Sequence, residues 1–74
     1  MEVFPRITID PSKCAGKACV RDLRITVEHV LAVLAEGMTP EDILREWPML
    51  EKEDIPAVLN YAAHLAGERS LPAA

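Results

Sequence analysis

No stretch of this 74-residue chain approaches the roughly 18 consecutive apolar residues of a membrane span, although half of its residues are hydrophobic. The opening Met1-Glu2-Val3-Phe4-Pro5-Arg6 has no apolar core of a secretory signal, so a cytoplasmic chain is expected. Cysteine is scarce, with only Cys14 and Cys19. In a reducing compartment these read as free thiols packed as small hydrophobes. A structural zinc needs further ligands, and His29 and His64 fall on separate predicted helices with no C-x-x-C or H-x-x-x-H spacing. No metal and no cofactor is expected. Also missing is any serine, cysteine or threonine with a local base, which argues against an enzyme. Positive charge is in short supply: 8 Lys and Arg stand against 12 Asp and Glu, a net charge of −4 that excludes a wholly basic nucleic-acid binder.

The charge that is present is divided unevenly. Residues 1–26 carry Arg6, Lys13, Lys17, Arg21 and Arg24 against Glu2, Asp10 and Asp22, a sum of +2. Residues 27–74 carry Arg45, Lys52 and Arg69 against nine acids, a sum of −6. A basic arm therefore precedes an acidic body, and an acidic body suits a basic protein partner. A chain this short buries little core relative to the backbone entropy lost on folding, so self-association, as a homodimer, is expected to add stability.

Local signals order the chain. Arg6-Ile7-Thr8-Ile9 alternates β-branched residues and ends at the turn signal Asp10-Pro11-Ser12, which predicts a strand. Ala18–Arg21 and Arg24–Thr26 read as further extended pieces joined at Asp22-Leu23, where aspartate tolerates a tight turn. Thr26 caps a first helix with Val27, Val30, Leu31 and Leu34 at helical spacing, ended by Gly37. Thr39 as N-cap, Pro40 at the first helical position and Asp42 three residues past the cap start a second helix, with Met38 placed to staple onto Ile43. It ends near Trp47, because Pro48 biases its neighbour away from helical dihedrals. A third helix begins near Asp54 with Pro56 in its first turn, and places Ile55, Val58, Leu59, Ala62, Leu65 and Ala66 on one apolar stripe.

These elements predict a single, mostly α domain: a β arm over 1–26, a trihelical homeodomain-like bundle of helix-turn-helix type over 27–67, and a disordered tail over 68–74. Trp47 is expected in the core, and His29 in solvent in the first turn of its helix. The pairs Glu41-Asp42 and Glu53-Asp54 lie in first helical turns, where carboxylates meet the helix dipole and its unpaired amides, so they read as helix starts and not as acid/base or metal sites. Lys13, Lys17, Arg21 and Arg24 are the candidates for phosphate contacts. The third helix has almost no side chains suited to reading base edges, which argues against ordinary recognition-helix binding. Asn60, Tyr61 and His64 form the candidate partner-contacting surface on that helix.

The arrangement Ile9-Asp10, then Gly16-Lys17-x-x-Val20-Arg21-x-x-Arg24-Ile25-x-Val27, then Glu36-Gly37-Met38-Thr39-Pro40-Glu41-Asp42-Ile43-Leu44 and Trp47-Pro48-Met49-Leu50, resembles the DUF433 family over about residues 6–66. Relative to that family's pattern, Ala18 stands for a proline, Asp22 for a glycine, Leu23 for a threonine and Thr26 for a second proline. Asp22 still suits a turn and Thr26 caps a helix, so the backbone plan survives. Gly16, Lys17, Arg21 and Arg24 keep their motif positions. The resemblance implies a homeodomain-like fold with a β arm. It also implies a non-enzymatic antitoxin of a type II toxin–antitoxin pair that neutralises a PIN-like ribonuclease, with operator DNA as a second partner of the dimer, and neither membrane nor small-molecule substrate. The alternative from the residues alone is a self-associating structural or regulatory module without nucleic-acid function. If the arm binds operator DNA, Arg21→Glu combined with Arg24→Glu abolishes that binding and leaves the fold intact.

Overall fold

Three short strands begin the chain in the computed structural model, which describes residues 1–68. They are β1 (Glu2–Phe4), β2 (Ile7–Thr8) and β3 (Cys19–Val20), antiparallel and in the order β1-β2-β3. Glu2 pairs with Thr8 and Phe4 with Ile7; Ile7 and Thr8 in turn face Val20 and Cys19. Met1 prolongs the first pair, its ammonium donating to the Ile9 carbonyl at 3.0 Å while the Ile9 N–H returns a bond to the Met1 carbonyl at 2.9 Å. The expected strand over residues 6–9 is thus trimmed to Ile7–Thr8, because Arg6 turns into the left-handed region at φ 67° to make the β1–β2 turn. Strand β1 had no alternation to announce it. The piece expected over residues 24–26 contributes one bridge, between Thr26 and Cys19.

Three helices follow: α1 (Val27–Ala35), α2 (Pro40–Glu46) and α3 (Asp54–Glu68). Each expected start is realised in its hydrogen bonds. The Thr26 hydroxyl accepts from the His29 N–H at 3.0 Å. Thr39 and Asp42 exchange side-chain-to-backbone bonds of 3.1 and 3.3 Å with Pro40 at the first helical position. Past the end of α1, Gly37 adopts φ +102°, its N–H reaching the Leu34 carbonyl and the Met38 N–H the Val33 carbonyl, both at 3.0 Å. This paired pattern satisfies carbonyls left over at the helix end and needs the left-handed backbone that glycine tolerates. Helix α3 starts at Asp54 with Pro56 in its first turn, as its sequence requires, and continues to Glu68. The rest of the expected tail, residues 69–74, lies outside the described residues.

Sheet and helices share one core. Ile7 and Val20 come from the strands, Val27 and Val30 from α1, Ile43 from α2, Leu50 from the turn after it, and Ile55 and Val58 from α3. Helix α3 packs on both α1 and β2. The architecture is therefore three helices with a small antiparallel sheet at the N-terminus, a mixed α/β fold; the three helices and the N-terminal β segment stand as expected, but the arm is a three-stranded sheet that shares the core, which strands of two or three residues leave almost no periodic signal to announce. Trp47 is half-buried against this core, with the ring of the exposed His29 meeting it edge-on at 5.3 Å. Of the apolar stripe expected on α3, Ile55 and Val58 are buried, whereas Leu59, Leu65 and Ala66 are exposed. No helix among the described residues is long and apolar enough to cross a membrane.

Two glycines test this reading in opposite directions. Gly37→Ala forces a side chain into the left-handed region and is expected to cost about 1 kcal/mol. At Gly67, helical and with open space around an added Cβ, the same change stabilises by up to about 0.5 kcal/mol. Urea unfolding followed by circular dichroism at constant m-value checks both.

Candidate functional site

Among the described residues Asp54 is the one polar or charged side chain that is buried, with 1% of its surface exposed. Its position at the start of α3 aims the carboxylate back toward the sheet, where two turns meet. Arg6 occupies the β1–β2 turn and Arg21 the turn after β3, and the Arg21 N–H donates to the Arg6 carbonyl at 2.9 Å. Both arginines have left-handed backbone, φ 67° and 44°, a conformation that crowds Cβ against the carbonyl in any residue but glycine. Strain of this kind persists only where surrounding contacts over-determine it, and here those contacts are the guanidinium bonds.

Arg21 meets the carboxylate side-on, Nε donating to Oδ1 at 3.0 Å and Nη2 to Oδ2 at 2.9 Å. Arg6 Nη1 donates to Oδ1 at 2.9 Å and also to Glu51 Oε1 at 2.8 Å. The Glu51 N–H closes on Oδ2 at 2.8 Å, and the Asp54 N–H returns a bond to the Glu51 carbonyl, also at 2.8 Å. Arg21 Nη2 further donates to the Met49 carbonyl at 3.0 Å. Burial by itself raises the pKa of Asp54, but bonds from Arg21, the Glu51 amide and Arg6 outweigh it and hold the carboxyl below its ordinary value. Both oxygens are saturated, so this carboxylate is a tie between sheet and helix and not a free acid or base.

The four expected phosphate contacts do not form one open cationic face. Arg21 is committed to Asp54 and Met49. Lys13 pairs with Asp22 at 2.7 Å and Lys17 with Glu28 at 2.9 Å. Arg24 is exposed at the tip of the Val20–Ile25 turn, with left-handed backbone at φ 64° and no ion pair among the described residues. Double charge reversal at Arg21 and Arg24, expected from the sequence to leave the fold intact, cannot spare it, because Arg21→Glu places a carboxylate against buried Asp54.

Asn60, Tyr61 and His64 divide between two surface grooves on either side of α3. Asn60 and His64 line an open groove of about 680 Å³ with Phe4, Glu53 and Pro56. Tyr61 lines a more apolar one of about 390 Å³ with Val27, Leu31 and Leu65, rimmed by the Lys17–Glu28 pair. The Phe4 ring joins the two sides, its centroid 5.5 Å from Tyr61 and 5.4 Å from His64. Cys14 and Cys19 are free thiols; burial, then Cys14 itself, pushes the Cys19 thiol up to about 11, which suppresses the reactive thiolate at neutral pH. No cluster of three or more potential metal ligands occurs among the described residues.

Sequence reasoning missed Asp54, Arg6, Glu51 and Phe4 as a group. By sequence Asp54 reads as a helix-dipole residue alone, and nothing in the spacing reveals that two turns 15 residues apart converge on it. The one available signal was Arg21 itself, a motif arginine beside a turn and without a local acid of suitable reach.

Asp54→Asn keeps the shape but leaves two guanidinium groups facing a neutral amide, and is expected to cost about 3 kcal/mol at pH 7. Because the folded carboxyl lies below its unfolded value, its contribution is complete above about pH 4 and disappears as pH falls through the folded value. The gap in stability between wild type and variant therefore narrows in acid. Asp10, held down by Ser12, Glu28, held down by Lys17, and Asp42, held down by Thr39, titrate in the same sense in both proteins and cancel in the difference. Denaturant midpoints measured between pH 7 and pH 2 check it.

No curated protein and no solved structure matches the chain. One family, described as "Protein of unknown function (DUF433)", matches residues 7–62, a span that includes Arg21, Asp54 and the whole shared core. With three quarters of its length inside that match, this chain belongs to the DUF433 family.

Proposed function

We propose that this chain is a non-enzymatic binding protein, the antitoxin of a type II toxin–antitoxin pair, which neutralises a PIN-like ribonuclease by direct contact. The observation that carries the protein-binding part is the use of the cations. Arg6, Arg21, Lys13 and Lys17 all pair internally, so the surface left for a partner is the acidic helical body with its two apolar grooves. A negative surface with apolar recesses complements a basic protein. The groove that holds Glu53, Asn60 and His64 beside Phe4 is the docking site in this reading. The link to a ribonuclease rests on the DUF433 resemblance, as does the homeodomain-like arrangement of the three helices. Operator DNA is the second partner, met by a dimer through Arg24 and Lys17, the latter by exchanging its exposed pair with Glu28 for a phosphate.

A second reading, a self-associating module without nucleic-acid function, is favoured by the same internal pairing, which leaves Arg24 as the single arm cation without an ion pair among the described residues.

The test combines the purified chain with the PIN-like ribonuclease recovered alongside it and follows RNA cleavage. Stoichiometric inhibition is expected, with Glu53→Lys weakening it about tenfold or more through charge reversal in the groove. Arg24→Glu is expected to spare inhibition and abolish the salt-sensitive operator binding. Undiminished cleavage at molar excess of the chain contradicts the antitoxin reading, and operator affinity unchanged in Arg24→Glu removes the arm from it.

A further inference from the structure

The chain's two cysteines, separated by four residues, are brought side by side by a strained turn. After β2 the backbone takes three consecutive left-handed residues at Cys14-Ala15-Gly16, with φ 52°, 54° and 77°. Two of the three carry a Cβ, a conformation that costs energy and persists only where its surroundings hold it. The Lys17 N–H closes the turn on the Cys14 carbonyl at 3.0 Å, and the Cys19 thiol donates back to the Lys17 carbonyl at 3.5 Å. Doubling the chain back in this way sets the Cys14 thiol within hydrogen-bonding reach of the Cys19 sulfur. Both thiols are free, and their access differs: Cys19 is 4% exposed on β3, whereas Cys14 is half-buried. Neither belongs to the apolar core cluster or lines either groove, so neither packing nor the docking surface accounts for their contact.

We propose that Cys14 and Cys19 form a reversible dithiol–disulfide pair that exchanges with small disulfides of the glutathione type. Cys14, the accessible sulfur, attacks as thiolate: its bond to one glutathione sulfur forms as the S–S bond of the oxidant breaks, and the other glutathione leaves as thiolate. Cys19 then gives up its proton and attacks the Cys14 sulfur, which expels the second glutathione and leaves the Cys14–Cys19 bond. Two protein thiols are oxidised, one glutathione disulfide is reduced to two thiols, and the protons pass from the first pair to the second. Burial pushes the Cys19 thiol up to about 11 and slows the second attack, but a neighbour already in contact reacts at a high effective concentration. The same burial shields Cys19 from direct attack, so Cys14 reacts first.

Closing the pair reaches the surface. It removes the hydrogen that Cys19 gives to the Lys17 carbonyl. Lys17 and Ala18 lie between the two sulfurs and line the Tyr61 groove, where Lys17 holds Glu28 at the rim. Oxidation thus acts on that wall and on Lys17, the residue assigned above to a phosphate. The exchange chemistry stands apart from the antitoxin reading, and only its use in regulating Lys17 rests on it.

Equilibration of the purified full chain in glutathione redox buffers, without ribonuclease or DNA, followed by acid quench, alkylation, trypsin and mass spectrometry, tests it. Trypsin cuts after Lys13, Lys17 and Arg21, so the closed pair appears as the peptide 14–17 joined to the peptide 18–21, and reduction separates the two. The same equilibration in urea supplies the reference for two cysteines that are near in sequence alone. The equilibrium constant for closure is expected to be about tenfold or more higher in the folded chain than in urea. Cys19→Ala is expected to stop at a Cys14–glutathione adduct, and Cys14→Ala to leave the buried Cys19 thiol unmodified. A closure constant in the folded chain equal to or below that in urea overturns the proposal. So does a linkage found only between chains, or a wild-type Cys14 adduct that persists beside a free Cys19.

Discussion

One buried carboxylate connects the two halves of this protein. Asp54 begins α3, and its two oxygens take bonds from Arg6 in one turn of the sheet, from Arg21 in another, and from the backbone of Glu51. A sheet of strands two or three residues long has little independent stability. Its turns hold strained backbone at Arg6 and Arg21, and the bonds that offset that strain converge on this residue, with further ones to Glu51 and the Met49 carbonyl. Removing either partner leaves charge without its complement in a poorly solvated place, so the tie is more costly to break than an ordinary surface pair. The apolar core packs across the same junction: Ile7 and Val20 stand on the sheet side, Ile55 and Val58 on the helix side.

The helices were legible because their signals are local. Thr26, Thr39, Pro40, Gly37 and Pro56 each act within one turn of backbone, and each occupies the position its chemistry demands. The sheet was not, since two-residue strands give no period to count and β1 owes its existence to pairing with β2. The candidate site was read in fragments for the same reason. Arg21 reads as a phosphate contact and Asp54 as a helix-dipole residue, but 33 positions separate them and no local rule connects them. Leu59, Leu65 and Ala66 went the other way. The sequence pattern places them with the core stripe, and the folded chain leaves them outside.

The same electrostatic arrangement shapes the outer surface. By turning Arg6 and Arg21 inward and pairing Lys13 and Lys17 with neighbouring acids, the fold uses most of the positive charge of residues 1–26 to hold itself together. Outside these pairs the surface of the helical body is largely acidic or apolar. Arg24, exposed on a strained turn, stands apart from that trend. The span matched by the family contains both the carboxylate and Arg21, the guanidinium that meets it through both Nε and Nη2.

The central claim is that Arg21 and Asp54 stabilise the fold as a unit, and a double-mutant cycle measures that directly. Unfolding free energies for the wild type, Arg21→Met, Asp54→Asn and the double variant give a coupling energy freed of each residue's separate effects. A coupling of about 2 kcal/mol or more at pH 7 is predicted, with the double variant no less stable than the weaker single one. Additive losses, with coupling below about 0.5 kcal/mol, would contradict the account and return the fold to its apolar core alone.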